Sequence, residues 1–250
     1  MTGTLYLIPN TLGDCGSIDS DVLGHVIPLE VQRLTATLSS FVAENAKSAR
    51  AFLKLIALTH PLAKPIQEIR IAELNVNTSD DALPALLGPL LAGQDIGLIS
   101  EAGVPAVADP GASLVRLAHR HNIVVRPMVG PSSLLLAVMA SGLNGQSFAF
   151  NGYLPVDSTQ RSKRIRELEL RSRQEQQTQL FIETPYRNQT MLETLVSQCR
   201  PDTLLCVATD LTLPTEAIRT MTAMQWNKAL ISKQVPDFQR KPSVFLLLAA

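Results

Sequence analysis

The sequence has no net charge, few aromatic residues and few cysteines, and each shortage excludes a class of protein. Lys plus Arg equals Asp plus Glu at 22 each, which argues against a nucleic-acid coat protein, because such proteins are basic overall. Cys15, Cys199 and Cys206 form no CxxC pair, so neither a disulfide framework nor a zinc site is predicted. Aromatic residues make up only 4% of the chain, so Leu, Ile, Val and Ala must build the core.

Long apolar runs and several familiar motifs are also missing. The N-terminal MTGTLYLIPN is not a signal peptide, and the apolar run at residues 134–140 is far shorter than the roughly 20 residues that span a membrane. The histidines fit no HExxH pattern, and GxGxxG, GxxxxGK[ST] and GxSxG are absent. We therefore expect a cytoplasmic protein without a metal site, a dinucleotide fingerprint, a P-loop or a serine nucleophile.

Short apolar runs alternate with helical stretches along the first half of the chain. The pattern predicts strands at residues 4–8, 38–42, 67–75, 95–100 and 123–128. It predicts helices at residues 46–58, 80–91 and 112–120. This alternation is typical of a mainly parallel sheet with helices on both faces.

A break in the pattern at Gly130-Pro131 suggests a domain boundary, giving domains at residues 1–129 and 130–250. An apolar helix follows, and Ser132 or Ser133 is suited to cap it. Strands are predicted at residues 147–153, 179–183, 204–209 and 243–248, with helices at 159–173 and 187–198. The chain is therefore predicted to hold two α/β domains.

The segment LISEAGVPAVADPG, residues 98–111, is the most informative loop. A buried strand ends in it and a helix starts after it, and ligands of open α/β sheets bind at such strand ends. Gly103 and Gly111 allow close approach of the backbone to a ligand, and we expect Asp109 to accept hydrogen bonds from loop amides. From the loop alone, a strand-to-helix connection without any ligand is an equal alternative.

Five ordered blocks carry a resemblance to a known family. The blocks are residues 100–105, 108–111, 130–133, 150–155 and 183–187, within SEAGVPAVADPG, RPMVGPSSLLLAVMASGL, FAFNGYLP and FIETPYR. Together with the N-terminal GTLYLIP and the C-terminal ATDLTLPTEAI, they resemble the ribosomal RNA small subunit methyltransferase I family, a branch of the tetrapyrrole methylase superfamily. The resemblance implies two α/β domains, the second with a mixed sheet, and S-adenosylmethionine held in the cleft between them. It also implies a homodimer.

The resemblance also implies which residues bind the cofactor. They lie at the strand ends of both domains: Pro9, Ser100, Glu101, Ala102, Gly103, Val104, Pro105, Ala108, Ser132, Ser133, Ile182 and Leu211.

The chain departs from the family pattern at polar positions. The family's A-E-D-T-R reads Ala43-Glu44-Asn45-Ala46-Lys47 here, its L-H-E-H-N strand end has no histidine here, and a further histidine is Tyr186. The E-L-T-K segment becomes Asp210-Leu211-Thr212-Leu213. The cofactor loops are better preserved than these polar positions, which indicates a divergent member and leaves a different methyl acceptor open.

Candidate catalytic and substrate-binding residues follow from this chemistry. Methyl transfer to a ribose hydroxyl benefits from a nearby base, and Glu44, Glu101 and Glu183 are candidates, although each is also suited to cap a helix or bind amides. Substrate contacts are expected from loop residues and from a basic helix that is either RNA-binding or simply solvated: Lys47, Arg161, Lys163, Arg164, Tyr186 and Arg187.

Three functions remain open at this stage. The first is methyl transfer to a ribose 2′-hydroxyl of small-subunit ribosomal RNA. The second is methyl transfer to a tetrapyrrole or another small molecule. The third is a protein that binds S-adenosylmethionine without catalysis, which the altered polar loops suggest.

Overall fold

A computed structural model describes residues 2–13 and 20–250, and the chain forms two compact units, Met1–Ser132 and Ser133–Ala250. The sequence predicts a mainly parallel sheet in the first unit, and the sheet observed there is entirely parallel, with the order β3-β2-β4-β1-β5. Its strands are β1 (Thr4–Ile8), β2 (Ser40–Ala43), β3 (Arg70–Glu73), β4 (Ile96–Ile99) and β5 (Val124–Pro127).

Helices cover both faces of this sheet. They are α1 (Ser20–Val26), α2 (Leu29–Thr37), α3 (Ala46–Ala57), α4 (Leu83–Leu91) and α5 (Gly111–Arg120). Helices α1 to α3 share one apolar cluster with Ile8 and Phe41, whereas α4 and α5 share another with Leu5 and Val42. Helix α3 packs into the first of these clusters through one apolar face, since Ala49, Phe52, Leu53 and Ile56 recur at helical spacing and are all buried.

The central strands β1 and β4 are neighbours whose connections leave in opposite directions. The chain passes from β1 to β2 over one face and from β4 to β5 over the other. Such a reversal leaves a crevice at the carboxyl ends of the two strands, where α/β proteins bind ligands. The candidate ligand site of this unit therefore lies at the loops that follow Ile8 and Ile99.

The second unit is built on a mixed sheet, also as expected, with the order β6-β7-β10-β8-β9 and only β6 and β7 parallel. Its core includes stacked Phe181 and Phe245 rings with centroids 6.0 Å apart. Its elements are α6 (Ser133–Ser141), β6 (Phe148–Tyr153), α7 (Ser158–Glu175), β7 (Thr178–Ile182), α8 (Asn188–Gln198), β8 (Leu204–Thr209), β9 (Ala217–Thr222), α9 (Ala223–Ile231) and β10 (Ser243–Leu248).

Four elements escape the sequence analysis: α1, α2, β9 and α9. Strand β9 lies at a sheet edge, and the residues on both of its faces are partly exposed. Its sequence therefore lacks the strict alternation of apolar and polar residues that indicates a strand with one buried face. The sequence at the start of helix α9 does contain a helix-capping pattern. Thr222 caps it and Gln225 bonds back to the Thr222 amide, which is the reciprocal pattern that T-x-x-Q predicts.

Cys199 and Cys206 are buried and free, whereas Cys15 lies outside the described residues. Burial raises the pKa of both thiols, so neither is a reactive thiolate near neutral pH. Among residues 2–13 and 20–250, no helix has the length and apolar character needed to cross a membrane.

Candidate functional site

The loops that follow β1 and β4 are hydrogen-bonded to each other at the carboxyl end of the parallel sheet. The backbone amide of Asn10 donates to the Gly103 carbonyl at 2.9 Å, and the Gly103 amide donates to Thr11 at 3.3 Å. The Asn10 side-chain amide also donates to the carbonyls of Ser100 at 3.2 Å and Glu101 at 3.1 Å. Asn10 is buried, and the hydrogen bonds of its backbone and side chain join the two loops.

Two further side chains fix the loop after β4. The Ser100 hydroxyl lies 3.1 Å from the carbonyls of Ala102 and Gly103. The Asp109 carboxylate accepts from the amides of Ala106 at 2.9 Å and Gly111 at 2.7 Å, which confirms the predicted role of this residue. These bonds within the chain give the loop a defined shape.

Three residues of this loop have left-handed backbone conformations. Gly103 has φ +68°, and the non-glycine residues Ala106 and Ala108 have φ 64° and 63°. A Cβ atom on Gly103 would lie 3.0 Å from the Leu12 side chain and 3.3 Å from the Pro131 carbonyl. Left-handed alanines are strained, so they persist only where the surrounding structure holds the backbone firmly. Such residues are concentrated at ligand-binding and active sites.

The loop after β5 contacts the loop after β1. A Cβ atom on Gly130 would lie 2.2 Å from the ring of Pro9, so only glycine permits this close approach. Pro9 and Pro105 are buried, whereas Ala102 and Ala108 are exposed and Val104 is half-buried. Half-buried Ser132 ends the first unit, and half-buried Ser133 begins α6 in the second.

Three carboxylates gather where β2 and β4 end. Burial raises the pKa of Glu44, the charges of Glu101 and Asp109 raise it further, and a hydrogen bond from the Glu101 amide opposes the rise. Burial also raises the pKa of Asp109, against its bonds from the amides of Gly111 and Ala106. Glu101 is exposed. The structure thus brings together two predicted catalytic residues, Glu44 and Glu101.

The first turn of α3 lies beside Glu44. The Asn45 side chain caps this helix by accepting from the amides of Lys47 and Ser48. The Glu73 carboxylate, at the end of β3, accepts from the Ala46 amide at 3.0 Å. Lys47 is exposed. Glu73 therefore fixes the start of α3, whereas Glu44 does not serve as the helix cap.

In the second unit, Glu183 is largely committed to an ion pair. Its Oε1 accepts from the Arg187 guanidinium, with the Nε atom at 3.0 Å, and from the Thr184 amide at 2.7 Å. The Glu183 side chain is 1% exposed and that of Arg187 is 28% exposed. The second oxygen, Oε2, is buried and has no hydrogen-bond partner among the described residues. Tyr186 is 82% exposed beside this pair.

The turn around Leu211 is also strained and firmly held. Asp210 and Thr212 have φ 51° and 70°, and Leu211 between them is buried. The Asp210 carboxylate accepts from the Thr215 hydroxyl at 2.7 Å and pairs with the Lys241 ammonium at 3.4 Å. This turn follows β8, and Ile182 ends β7.

The basic helix α7 uses most of its cations within its own unit. Arg161 is buried and donates to the Val156 carbonyl at 2.9 Å. Arg164 contacts Asn151 and Glu167, whereas Lys163 is exposed. The remaining arginines are bonded in the same way, Arg166 to Gln198, Arg171 to Glu175 and Arg173 to Ala250. Helix α7 therefore offers less free positive charge than its sequence indicates.

Three residues that organise these sites are not predicted from the sequence: Asn10, Glu73 and Lys241. Asn10 did carry a signal, since it directly follows a strand and Pro9 and its side chain is suited to bond backbone groups. Lys241 carried none, because its partner Asp210 is 31 positions away in the sequence and only the tertiary fold brings them together.

Solved structures define the class of protein to which this fold belongs. The methyltransferase CobJ has a TM-score of 0.62 at 18% identity, covering 100% of this chain and 95% of its own. The cobalt precorrin-4 methyltransferase CbiF has a TM-score of 0.58 at 16% identity, covering 98% of this chain and 94% of its own. The fold is that of the tetrapyrrole methyltransferases.

Sequence relatives define the family. A ribosomal RNA small subunit methyltransferase I of Mesorhizobium japonicum is 37% identical over 218 residues, covering 87% of this chain and 67% of the relative. One of Vibrio cholerae is 29% identical over 244 residues, covering 98% of this chain and 76% of the relative. No family model matches the chain. The chain belongs to the ribosomal RNA small subunit methyltransferase I family and is a methyltransferase, which confirms the resemblance that the motifs indicate.

Proposed function

We propose that this protein transfers a methyl group from S-adenosylmethionine to a ribose 2′-hydroxyl of small-subunit ribosomal RNA. The observation that carries the proposal is the pairing of a preformed ligand loop, residues 100–110, with the adjacent Glu44, in a chain whose relatives are named for this class of substrate.

The loop after β4 fits S-adenosylmethionine in shape and charge. Exposed Ala102 and Ala108 and the glycine at position 103 leave room for a flat nucleoside to approach the backbone. The carboxylates of Glu44, Glu101 and Asp109 suit a ligand that carries positive charge on its sulfonium and its amino group. We propose that Pro9 and residues 100–105 hold the cofactor, with further contacts from Ala108, Ser132, Ser133, Ile182 and Leu211.

Glu44 is the base in this proposal. The bound cofactor supplies an electrophilic methyl group on sulfur. The acceptor hydroxyl is a weak nucleophile, so a carboxylate that takes up its proton as the new O–C bond forms lowers the barrier. The raised pKa of Glu44 brings its basicity closer to the working pH. Glu101 is the alternative base because it adjoins Glu44 and is exposed, whereas Glu183 is occupied by Arg187.

The experiment has a binding stage and a turnover stage. Calorimetric titration with S-adenosylmethionine and S-adenosylhomocysteine should give micromolar dissociation constants, near 8 kcal/mol of binding free energy. Isolated small subunits are then incubated with enzyme and isotopically labelled cofactor, and the RNA is digested to nucleosides. The matched control is Glu44→Gln, which retains an oxygen able to accept from the Glu101 amide but removes the base.

The outcomes separate the three functions. Labelled 2′-O-methyl nucleoside from the wild type, with a rate at least 100-fold lower from Glu44→Gln, is the expected result, since general-base catalysis contributes roughly 100- to 10,000-fold. Cofactor binding with label on a base contradicts the 2′-hydroxyl assignment. Cofactor binding with no labelled RNA favours a small-molecule acceptor or a non-catalytic protein, and a screen of tetrapyrroles then distinguishes those two.

The homodimer implied by the family remains a prediction. Light scattering of the purified chain, whose protomer mass is 27.1 kDa, tests it directly.

A further inference from the structure

Helix α3 has an exposed face that carries only positive charge. Lys47, Arg50 and Lys54 occupy positions i, i+3 and i+7, which places them on one side of the helix. The opposite side is the buried apolar stripe of α3, so these cations are on the solvent side. The helix contains no Asp or Glu residue. The side-chain ammonium groups of Lys47 and Lys54 have no hydrogen bond or ion pair within the described part of the chain, and the Arg50 guanidinium has one long bond to the Ala46 carbonyl, at 3.4 Å.

The cationic face ends at a shallow groove. The groove has a volume of about 460 Å³ and lies between the C-terminal end of α3 and residues 62–66. Its floor is apolar, with Leu62, Pro65 and Ile66, and Lys54 and Lys64 provide its charged groups. An apolar floor beside two ammonium groups suits a nucleotide, whose base is flat and weakly hydrated and whose phosphate is anionic.

The position of α3 relates this surface to the candidate catalytic group. Glu44 lies two residues before α3 begins, and Lys47 is in the first turn of the helix. The helix rises about 1.5 Å per residue, so Lys54 lies roughly 10 Å further along the axis than Lys47. No nearby carboxylate forms an ion pair with these cations within the described residues: Glu73 is bonded to the Ala46 amide, and Glu68 makes no ion pair.

We propose that Lys47, Arg50, Lys54 and Lys64 form a binding surface for the phosphate backbone of the RNA strand that carries the acceptor nucleotide. In this arrangement the strand runs from Glu44 along α3 to the groove at residues 62–66. The inference rests on the proposed function, and it assigns to α3 the phosphate contacts that the sequence alone assigns to α7.

Salt dependence of RNA binding is the direct test. The probe is a fluorescently labelled single-stranded RNA oligonucleotide, titrated with protein over a series of KCl concentrations. The test variant combines Lys54→Ala with Lys64→Ala, which leaves Glu44 and the loop after β4 untouched. One control, Lys54→Arg with Lys64→Arg, keeps the charges. The second, Lys228→Ala, removes an exposed lysine from α9 in the second unit.

Each phosphate contact to a single strand contributes about 0.7 to the slope of log affinity against log salt, so the double alanine variant should lose about 1.4 in slope and about 25-fold in affinity near 0.1 M salt. Both controls should retain the wild-type slope. Cofactor affinity and melting temperature should be unchanged in the double variant, because both lysines are exposed.

The outcomes distinguish this inference from the proposed function. An unchanged slope in the double alanine variant, with a wild type that binds RNA and methylates small subunits, overturns the α3 surface alone. A loss of about 0.7 in slope in Lys228→Ala, which is the same loss for each charge removed, also overturns it, since the effect is then one of overall charge. A wild type that neither binds RNA nor methylates it overturns the proposed function together with this inference.

Discussion

The backbone amide of Asn10 donates to the carbonyl of Gly103 at 2.9 Å, although the two residues lie 93 positions apart in the sequence. Because these residues follow the two strands at the reversal point of the sheet, this bond joins the loops on which cofactor binding is proposed to depend. Small changes at either residue are therefore expected to alter ligand affinity and stability together.

Replacing Asn10 with Ala should weaken both stability and cofactor binding. The change removes the donors to the Ser100 and Glu101 carbonyls at a buried position, and leaving such carbonyls unpaired costs about 1–3 kcal/mol. Urea unfolding measures the first effect and calorimetry the second. If unfolding is altered but cofactor affinity is not, the joined loops are structural only.

Replacing Gly103 with Ala should distort the loop after β4. A side chain there is strained at φ +68° and approaches the Pro131 carbonyl at 3.3 Å, so we expect a loss of about 1–2 kcal/mol and at least 10-fold weaker cofactor binding. The matched control is Gly24→Ala inside α1, where a Cβ atom meets nothing within 4 Å and no proline follows directly. That control should be stabilised by about 0.5–1 kcal/mol with unchanged affinity.

The pH dependence of methyl transfer should report on Glu44. As a base, Glu44 must be deprotonated, so the rate should rise with pH through a pKa above the ordinary 4.5. Glu101→Gln removes a charge that raises this pKa, so the rise should move to lower pH in that variant. A single-turnover pH profile of both proteins tests this, and a profile that does not shift argues against coupling of the two carboxylates.

Glu44→Gln should increase stability while it removes activity. The folded-state pKa of Glu44 is raised, so between the unfolded and folded pKa values the native state binds the proton more tightly. Stability from this group is therefore present at low pH and is lost as the pH rises through that window. At neutral pH the uncharged Gln variant should unfold at a higher urea concentration than the wild type, and a lower midpoint would contradict the proposed burial cost.

Arg187→Ala should destabilise the second unit strongly. It leaves the Glu183 carboxylate, 1% exposed, without its counter-ion, and breaking a buried pair from one side costs about 3 kcal/mol or more. The control is Arg171→Ala, which breaks the exposed pair with Glu175 and should cost no more than about 1 kcal/mol. Similar losses in the two variants would show that the Glu183 pair is not specially important to stability.

Arg161→Ala should affect folding rather than RNA affinity. The Arg161 side chain is 6% exposed and donates to the Val156 carbonyl, so its loss removes a hydrogen bond made by a charged group, at a cost of about 1.5–3 kcal/mol. For this variant, the slope of log RNA affinity against log salt concentration should equal that of the wild type. Lys163→Ala, on the exposed side of the same helix, is the comparison that shows whether α7 contacts RNA at all.

The sequence determined the two α/β sheets and the family. Each predicted strand coincides with an observed one within three residues, because buried parallel strands such as IGLI are nearly continuous apolar runs bounded by turn residues. The five motif blocks were specific because their order and spacing are shared over the chain. Local patterns also placed Asp109 correctly, since its bonds are to amides within three residues.

Only the tertiary structure decided which polar residues act together. The pKa of Glu44 is raised by burial and then by the charges of Glu101 and Asp109, which follow another strand. The ion pair of Asp210 is made with Lys241, from a distant loop. The count of cations in α7 was visible in the sequence, whereas their internal partners were not. Local periodicity reports which face of an element is buried, but it does not report the hydrogen-bond partners of its side chains, and for that reason α7 presents fewer free cations than its sequence indicates.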